Sequence, residues 1–362
     1  MRILFEITHP KHALMFKNAI LELGNRGYEI LITAREKDIT CDLLDSWNLP
    51  YHLISKKSGA DLIRMCVELG IRDIRMYRLA RHFQPDVFVG RVGPSAAHIG
   101  YITRKPVVVF DDMESATLQQ WISYPFASHI CTSKHYEKDW GSKHVRYNSF
   151  DELAYLHPNV FQPDHNIIKS YGLEPYSYSI VRYVSWEAAH DRNHSGFNRE
   201  QRHQVIELLN KTGPVFVSFE GNLPADLQQF NLPCTPDQFH HFLAFANITV
   251  GESPTVAAES AMLGVPAVLF SSLTFGSINK LAYHYHIVYN PPEFIEVPPL
   301  IEKITTASRT RKQWMDTQNQ ILLESVDLSQ WIVNFIGSLC QTIHENPGDS
   351  YSNPGRFNST EK

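Results

Sequence analysis

The stretch from Ala246 to Phe270 constrains the fold more than any other part of the chain. Ala246-Asn247-Ile248-Thr249-Val250 is an apolar run of strand length, and Ala267-Val268-Leu269-Phe270 is a second. Between them Ser253 stands as a helix N-cap, Pro254 at the first helical position, and Gly264 just past the end. Strand, helix and strand in that order predict a parallel pair joined by a crossover. The Gly251–Ser253 turn leaves backbone N–H groups and the positive end of a helix dipole facing outward, a natural seat for phosphate. Glu259, six residues past the cap, is placed to meet the hydroxyls of a ribose. The plainer alternative is an ordinary strand–loop–helix, in which Ser253 only caps and Glu259 is solvated.

The rest of the chain repeats this alternation. Strands are expected at Ile3–Ile7, Tyr28–Thr33, Tyr51–Ile54, Asp86–Val89, Pro106–Phe110 and His129–Thr132, with helical spacing between them and a long helix over Leu62–Phe83. The pattern breaks between Phe150 and Asp164. It resumes with strands at Ser179–Val184, Val215–Phe219, Ile248–Val250, Ala267–Phe270 and Ile287–Tyr289. No hairpin signal interrupts either half. We expect α/β architecture: two doubly wound, Rossmann-like domains facing across a cleft, with function at the loops after the strands. The expected division is 1–150, a connector over 151–165, a second domain over 166–325, a closing helix over 326–345 packing back on the first, and a disordered tail over 346–362.

Several functions are disfavoured. A formal net charge of -5 gives no electrostatic case for nucleic acid. The five cysteines include no CxxC pair, so neither a disulfide framework nor a zinc ribbon is expected. The eighteen histidines form no HExxH, and no metal or cofactor is expected. Gly90-Arg91-Val92-Gly93 is not a GxGxxG, and neither GxxxxGK[ST] nor GxSxG occurs. No apolar run approaches the roughly 20 residues of a spanning helix, and the N-terminus turns polar too soon for a signal peptide. The expected location is cytoplasmic, with a peripheral membrane contact left open.

Five stretches carry a family resemblance: Phe5–His12, Val109–Glu114, Glu152–Pro158, Arg182–Asp191 and Gly251–Pro266. In this order they resemble the family called domain of unknown function 354, over the chain to about Leu323, within the GT-B glycosyltransferase group. The resemblance implies a nucleotide-sugar donor held at Gly251, Ser253, Pro254 and Thr255, with Glu259 on the ribose and Arg182 and Ser185 among the substrate contacts. Arg182 could instead pair with Glu187 or Asp191. Glu220 and Gly221 either wall the donor base or form a turn. Pro254 removes one N–H donor from the phosphate turn.

A transferase also needs a base for the acceptor hydroxyl. His9 and His12, in the loop after the first strand, are the first candidates, since a neutral imidazole can take an alcohol proton. Asp111 comes second, in a group of three carboxylates with Asp112 and Glu114; these could equally be a metal site or a solvated cap. The expected activity is transfer of a sugar to a saccharide or lipid-linked acceptor in surface polysaccharide or glycolipid synthesis. The alternatives are a nucleotide-sugar 2-epimerase, with Asp111, Glu114 and His190 as its acid and base groups, and a non-catalytic binding subunit.

Overall fold

The computed structural model describes residues 1–56, 62–184, 196–273, 275–306 and 310–345. Ser185, Glu187, His190, Asp191 and the tail after Glu345 lie outside the described residues. The chain forms two compact units, one of Met1–Tyr155 with the residues from Val326 on, the other Leu156–Ser325.

The first unit runs β1 (Arg2–Ile7), α1 (Pro10–Asn25), β2 (Glu29–Glu36), α2 (Thr40–Ser46), β3 (His52–Lys56), α3 (Leu62–Phe83), β4 (Val87–Arg91), α4 (Pro94–Ile102), β5 (Val107–Asp111), α5 (Thr117–Ser123), β6 (His129–Ser133), β7 (His144–Tyr147) and, at its edge, α6 (Leu153–Leu156). The sheet order is β3-β2-β1-β4-β5-β6-β7, and every pairing is parallel. Right-handed crossovers put α1 and α2 on one face and α3, α4 and α5 on the other. The central strands β1, β4 and β5 are largely apolar, as a sheet covered on both faces requires, with Glu6, Arg91 and Asp111 as buried polar exceptions toward their carboxyl ends. Leu4, Phe88, Val107 and Val109 are buried in one cluster with Ile99, Tyr124 and Ile130.

The second unit contains α7 (His165–Ser170), β8 (Ser179–Tyr183), α8 (Arg199–Asn210), β9 (Val215–Phe219), α9 (Phe239–Ala244), β10 (Ile248–Gly251), α10 (Pro254–Met262), β11 (Ala267–Leu269), α11 (Gly276–Tyr283), β12 (Val288–Tyr289), α12 (Val297–Thr305) and α13 (Arg311–Glu324). Its order is β12-β11-β10-β8-β9, again parallel in every pair. The last helix, α14 (Leu328–Glu345), belongs to the first unit and packs beside α1. Its Trp331 and Phe335 rings stack at 5.1 Å, and Trp331 also meets Phe110 and Tyr147.

Both sheets reverse strand order once, between β1 and β4 and between β8 and β10. Such reversals splay the crossovers to opposite faces and leave a crevice at the carboxyl ends of the two strands. His9 and Arg91 follow or end the strands at the first reversal; Arg182 and Ser253 do so at the second.

Candidate functional site: two strand-order reversals

At the second reversal Arg182 and Gly251 are register partners on β8 and β10. A Cβ on Gly251 would collide with the Arg182 carbonyl oxygen, so this glycine is required for strand packing. Ser253 then caps α10 as the sequence suggests, its Oγ accepting from the Val256 N–H at 3.4 Å, with Pro254 at the first turn and Gly264 at φ +70°. Pro254 has no N–H and Val256 uses its own on Ser253, so the turn is a leaner anion seat than a glycine-rich one. Positive charge comes from Arg182, half-buried, whose guanidinium donates to Ser218 Oγ at 2.7 Å.

Beside this turn lies a residue that sequence reasoning passed over. Glu252 is buried and accepts from the Val184 and Phe197 N–H groups at 2.7 and 2.6 Å, with Arg202 at 3.1 Å. One carboxylate thus ties both chain segments that flank residues 185–195. Glu220 and Gly221 follow β9: the Glu220 N–H donates to the Tyr183 carbonyl, and Gly221 is exposed with φ +89°, a turn only glycine adopts without strain.

The expected ribose contact of Glu259 needs correction. α10 is buried from Val256 to Met262 because α9, α11 and α13 all pack on it. Six residues past the cap therefore lies inside the unit, where Glu259 Oε1 meets His240 Nε2 at 3.2 Å. It is not a carboxylate held out to a ligand.

At the first reversal a buried ionic cluster assembles from five residues, of which the sequence singled out only Asp112, as one of three carboxylates at a strand end. Lys11 Nζ lies 2.5 Å from Asp112 and 2.8 Å from Glu152. Arg91 bridges Asp112 and Asp151, and the Tyr147 hydroxyl donates to Asp151 at 2.5 Å. Asp112 is thus the shared anion, while each cation keeps a second carboxylate of its own. Lys11 and Asp112 are the most open members, with side chains 12 and 13% exposed. Burial pushes the Asp112 carboxyl up, but Arg91 and Lys11 outweigh it and hold it well below the usual carboxylate range. Glu152 moves the other way: burial raises it and Lys11 only partly offsets that.

The histidines flank this cluster, each ring accepting a backbone N–H at its Nδ1. His9 caps α1, its Nδ1 accepting from the Lys11 N–H at 3.2 Å. Burial, then Lys37 and Arg91, press its pKa down to about 3. A neutral ring that accepts at Nδ1 carries its proton on Nε2, and so presents a donor there. His12 is likewise pressed well below its ordinary value, first by burial and then by His9, and its Nδ1 faces the Thr8 N–H. The base role expected for these rings is therefore corrected. Ring ¹⁵N spectroscopy should show His9 as the neutral Nε2-protonated tautomer down to about pH 5; a cationic ring at that pH would contradict this geometry.

Asp111 is corrected as well. Neighbouring residues at a strand end point to opposite sides. Asp111 turns inward to Tyr124, Tyr136 and Gln120, which all donate to its Oδ2, while Asp112 turns to Lys11 and Arg91. Glu114 is drawn elsewhere: its Oε1 accepts from the Glu137 N–H and its carbonyl from Lys138. Among the described residues no three His, Cys, Asp or Glu side chains group as metal ligands. Nor is the turn after β4 open to an external anion. The buried Glu6 carboxylate already accepts from the Ala96 N–H at the start of α4, pairs with Arg72, and occupies the space a Cβ on Gly93 would need.

A family model described as "Protein of unknown function (DUF354)" matches residues 1–328. The chain belongs to this family. No curated protein matches it in sequence. Among solved structures, this DUF354 chain is similar to a UDP-N-acetylglucosamine 2-epimerase from Rickettsia bellii at TM-score 0.68 and 11% identity, over 96% of this chain and 98% of that one. It is similar to a UDP-GlcNAc 2-epimerase from Neisseria meningitidis, bound to UDP-GlcNAc, at 0.63 and 13%, over 96 and 100%. It is also similar to Acinetobacter baumannii MurG at 0.59 and 11%, over 93 and 100%. Those proteins are GT-B-type enzymes, and at such identities the likeness establishes the fold.

Proposed function

We propose that this DUF354 protein is a glycosyltransferase acting on a nucleoside-diphosphate sugar. The observation that carries the reading is the register pairing of Arg182 with Gly251, two residues before the Ser253 cap of α10, on adjacent strands of the second unit. A cation beside a helix N-terminus neutralises a leaving diphosphate without a divalent ion. The first unit, taken by itself, carries groups suited to the acceptor half of such a reaction. In transfer through an oxocarbenium-like transition state, the anomeric carbon–oxygen bond breaks and its electron pair leaves with the diphosphate. The acceptor oxygen bonds to that carbon, and its proton becomes acidic only as the bond forms. A strongly ionised carboxylate then suffices as base, and Asp112, the most open of the three, takes the proton. His9 and His12 orient substrate oxygens as donors. The fold likeness to proteins named for UDP-GlcNAc and to MurG supports the donor class.

A second reading, sugar 2-epimerisation, is favoured by one specific feature: Glu152, whose raised pKa suits a group that gives and takes a proton at the sugar ring. Calorimetric titration with UDP-, GDP-, CMP- and dTDP-sugars tests what both readings share. One of them should bind, and Arg182→Ala should weaken it about 10- to 100-fold, as expected for a lost charge-assisted contact. No binding across the panel, or an unchanged affinity in the variant, would remove the reading.

A further inference from the structure

Helix α3 carries two apolar stripes where a surface helix needs one. The first, with Met76 and Ala80, faces the core. The second, Ile63, Val67, Ile71 and Ile74 at i, i+4, i+8 and i+11, points away from it, with exposures of 73, 57, 42 and 56%. The charges along this outer side are of one sign. Arg64, Arg75, Arg78 and Arg81 are exposed, whereas Glu68 is buried against Arg35 and Ser55, and Asp73 pairs with His98. A chain of net charge -5 thus has a helix whose exposed charge is positive. The same helical layer continues through α4 and α5, which pack in a row beside α3. They add Tyr101 and Ile102, then Leu118 and Trp121, the last 80% exposed. The opposite face of the sheet is different, since there α14 covers α1.

We infer that the α3–α4–α5 layer of the first unit docks on an anionic lipid surface. Aliphatic side chains flanked by arginines, with tryptophan and tyrosine alongside, form the pattern of an element lying in the headgroup region: apolar groups enter, guanidinium groups meet phosphates, aromatic rings sit at the boundary. No described helix is long and apolar enough to cross a membrane, so the contact is made from one side. A second copy of the chain fits this patch poorly, because a two-fold interface would set arginine against arginine. The inference rests on the patch itself and needs no assumption about activity.

Sedimentation of the full chain with vesicles tests it. Binding is expected to vesicles of phosphatidylcholine mixed with phosphatidylglycerol, to fall with added salt, and to be much weaker on phosphatidylcholine alone. Arg78→Gln with Arg81→Gln should weaken the partition about 20- to 30-fold, from the usual worth of two basic residues near an anionic surface. Ile71→Ser with Ile74→Ser should lower it at least about tenfold. All four positions are exposed, so both double variants should keep the wild-type melting temperature. Equal binding to neutral and anionic vesicles, binding to neither, or vesicle binding that survives both double variants overturns the proposal. So does concentration-dependent self-association that Ile71→Ser with Ile74→Ser abolishes while vesicles bind nothing, an outcome that would assign the patch to a second copy.

Discussion

Asp112→Asn is expected to cut sugar transfer about 10²- to 10⁴-fold, the usual worth of a positioned general base, while lowering the melting temperature less than the loss of a cation from the same cluster does. The second half of that expectation comes from the charge arrangement. Two cations, Lys11 and Arg91, share three carboxylates, and the one removed is the one they hold in common. After substitution Lys11 keeps Glu152 and Arg91 keeps Asp151, so the cluster becomes balanced and the amide still fills the space. Turnover measured beside a thermal melt separates the outcomes. Full activity would remove Asp112 from the chemistry. Loss of the fold would show that the shared anion cannot be spared.

Arg91→Met should do the reverse, lowering stability by about 3–5 kcal/mol, since it leaves the buried Asp151 without a cation and Asp112 with Lys11 alone. For a unit of this size that corresponds to a melting temperature lower by roughly 6–20 °C. The pH dependence has a definite sign. Arg91 and Lys11 depress the Asp112 pKa, so this stabilisation is present above the ordinary carboxylate range and is lost as pH falls below it. The gap between wild type and variant should therefore narrow in acid. A variant melting within about 2 °C of the wild type at neutral pH would contradict the arrangement.

The alternation of strands and helices was legible because the long elements have clear periods. α3 spans the residues its spacing indicates, and the cap signals at Ser253, Pro254 and Gly264 place α10 correctly. Some of the short elements were not. β7 is the four residues His144–Tyr147, too few for a visible alternation, so the first sheet extends one strand beyond the expected closure at β6. α5, α7 and α11 are six to eight residues each, about two turns, over which a 3.6-residue period cannot be distinguished.

The candidate site divides in the same way. A helix start is a local pattern, and its cap could be read from consecutive residues. The ionic cluster is the opposite case: Lys11 and Glu152 meet across 141 positions, brought together by the order of strands in a sheet. Both lay inside stretches that carry the family resemblance, yet histidine chemistry drew attention from the lysine between His9 and His12. The choice of Asp111 over Asp112 turned on which side of a strand end each faces, and adjacent acids in a sequence give no phase for that. Glu259 went wrong for want of one fact, that helices pack around α10 on several sides.

The central claim is that the chain breaks the anomeric carbon–oxygen bond of a nucleotide sugar. The most direct test is a ³¹P and ¹H NMR time course with the nucleotide sugar that calorimetry selects, run with and without a saccharide acceptor library. Transfer predicts free nucleoside diphosphate and a new glycosidic anomeric signal only when acceptor is present, both lost in Asp112→Asn. A 2-epimer appearing without acceptor would select the second reading, and an unchanged nucleotide sugar under both conditions would contradict the account.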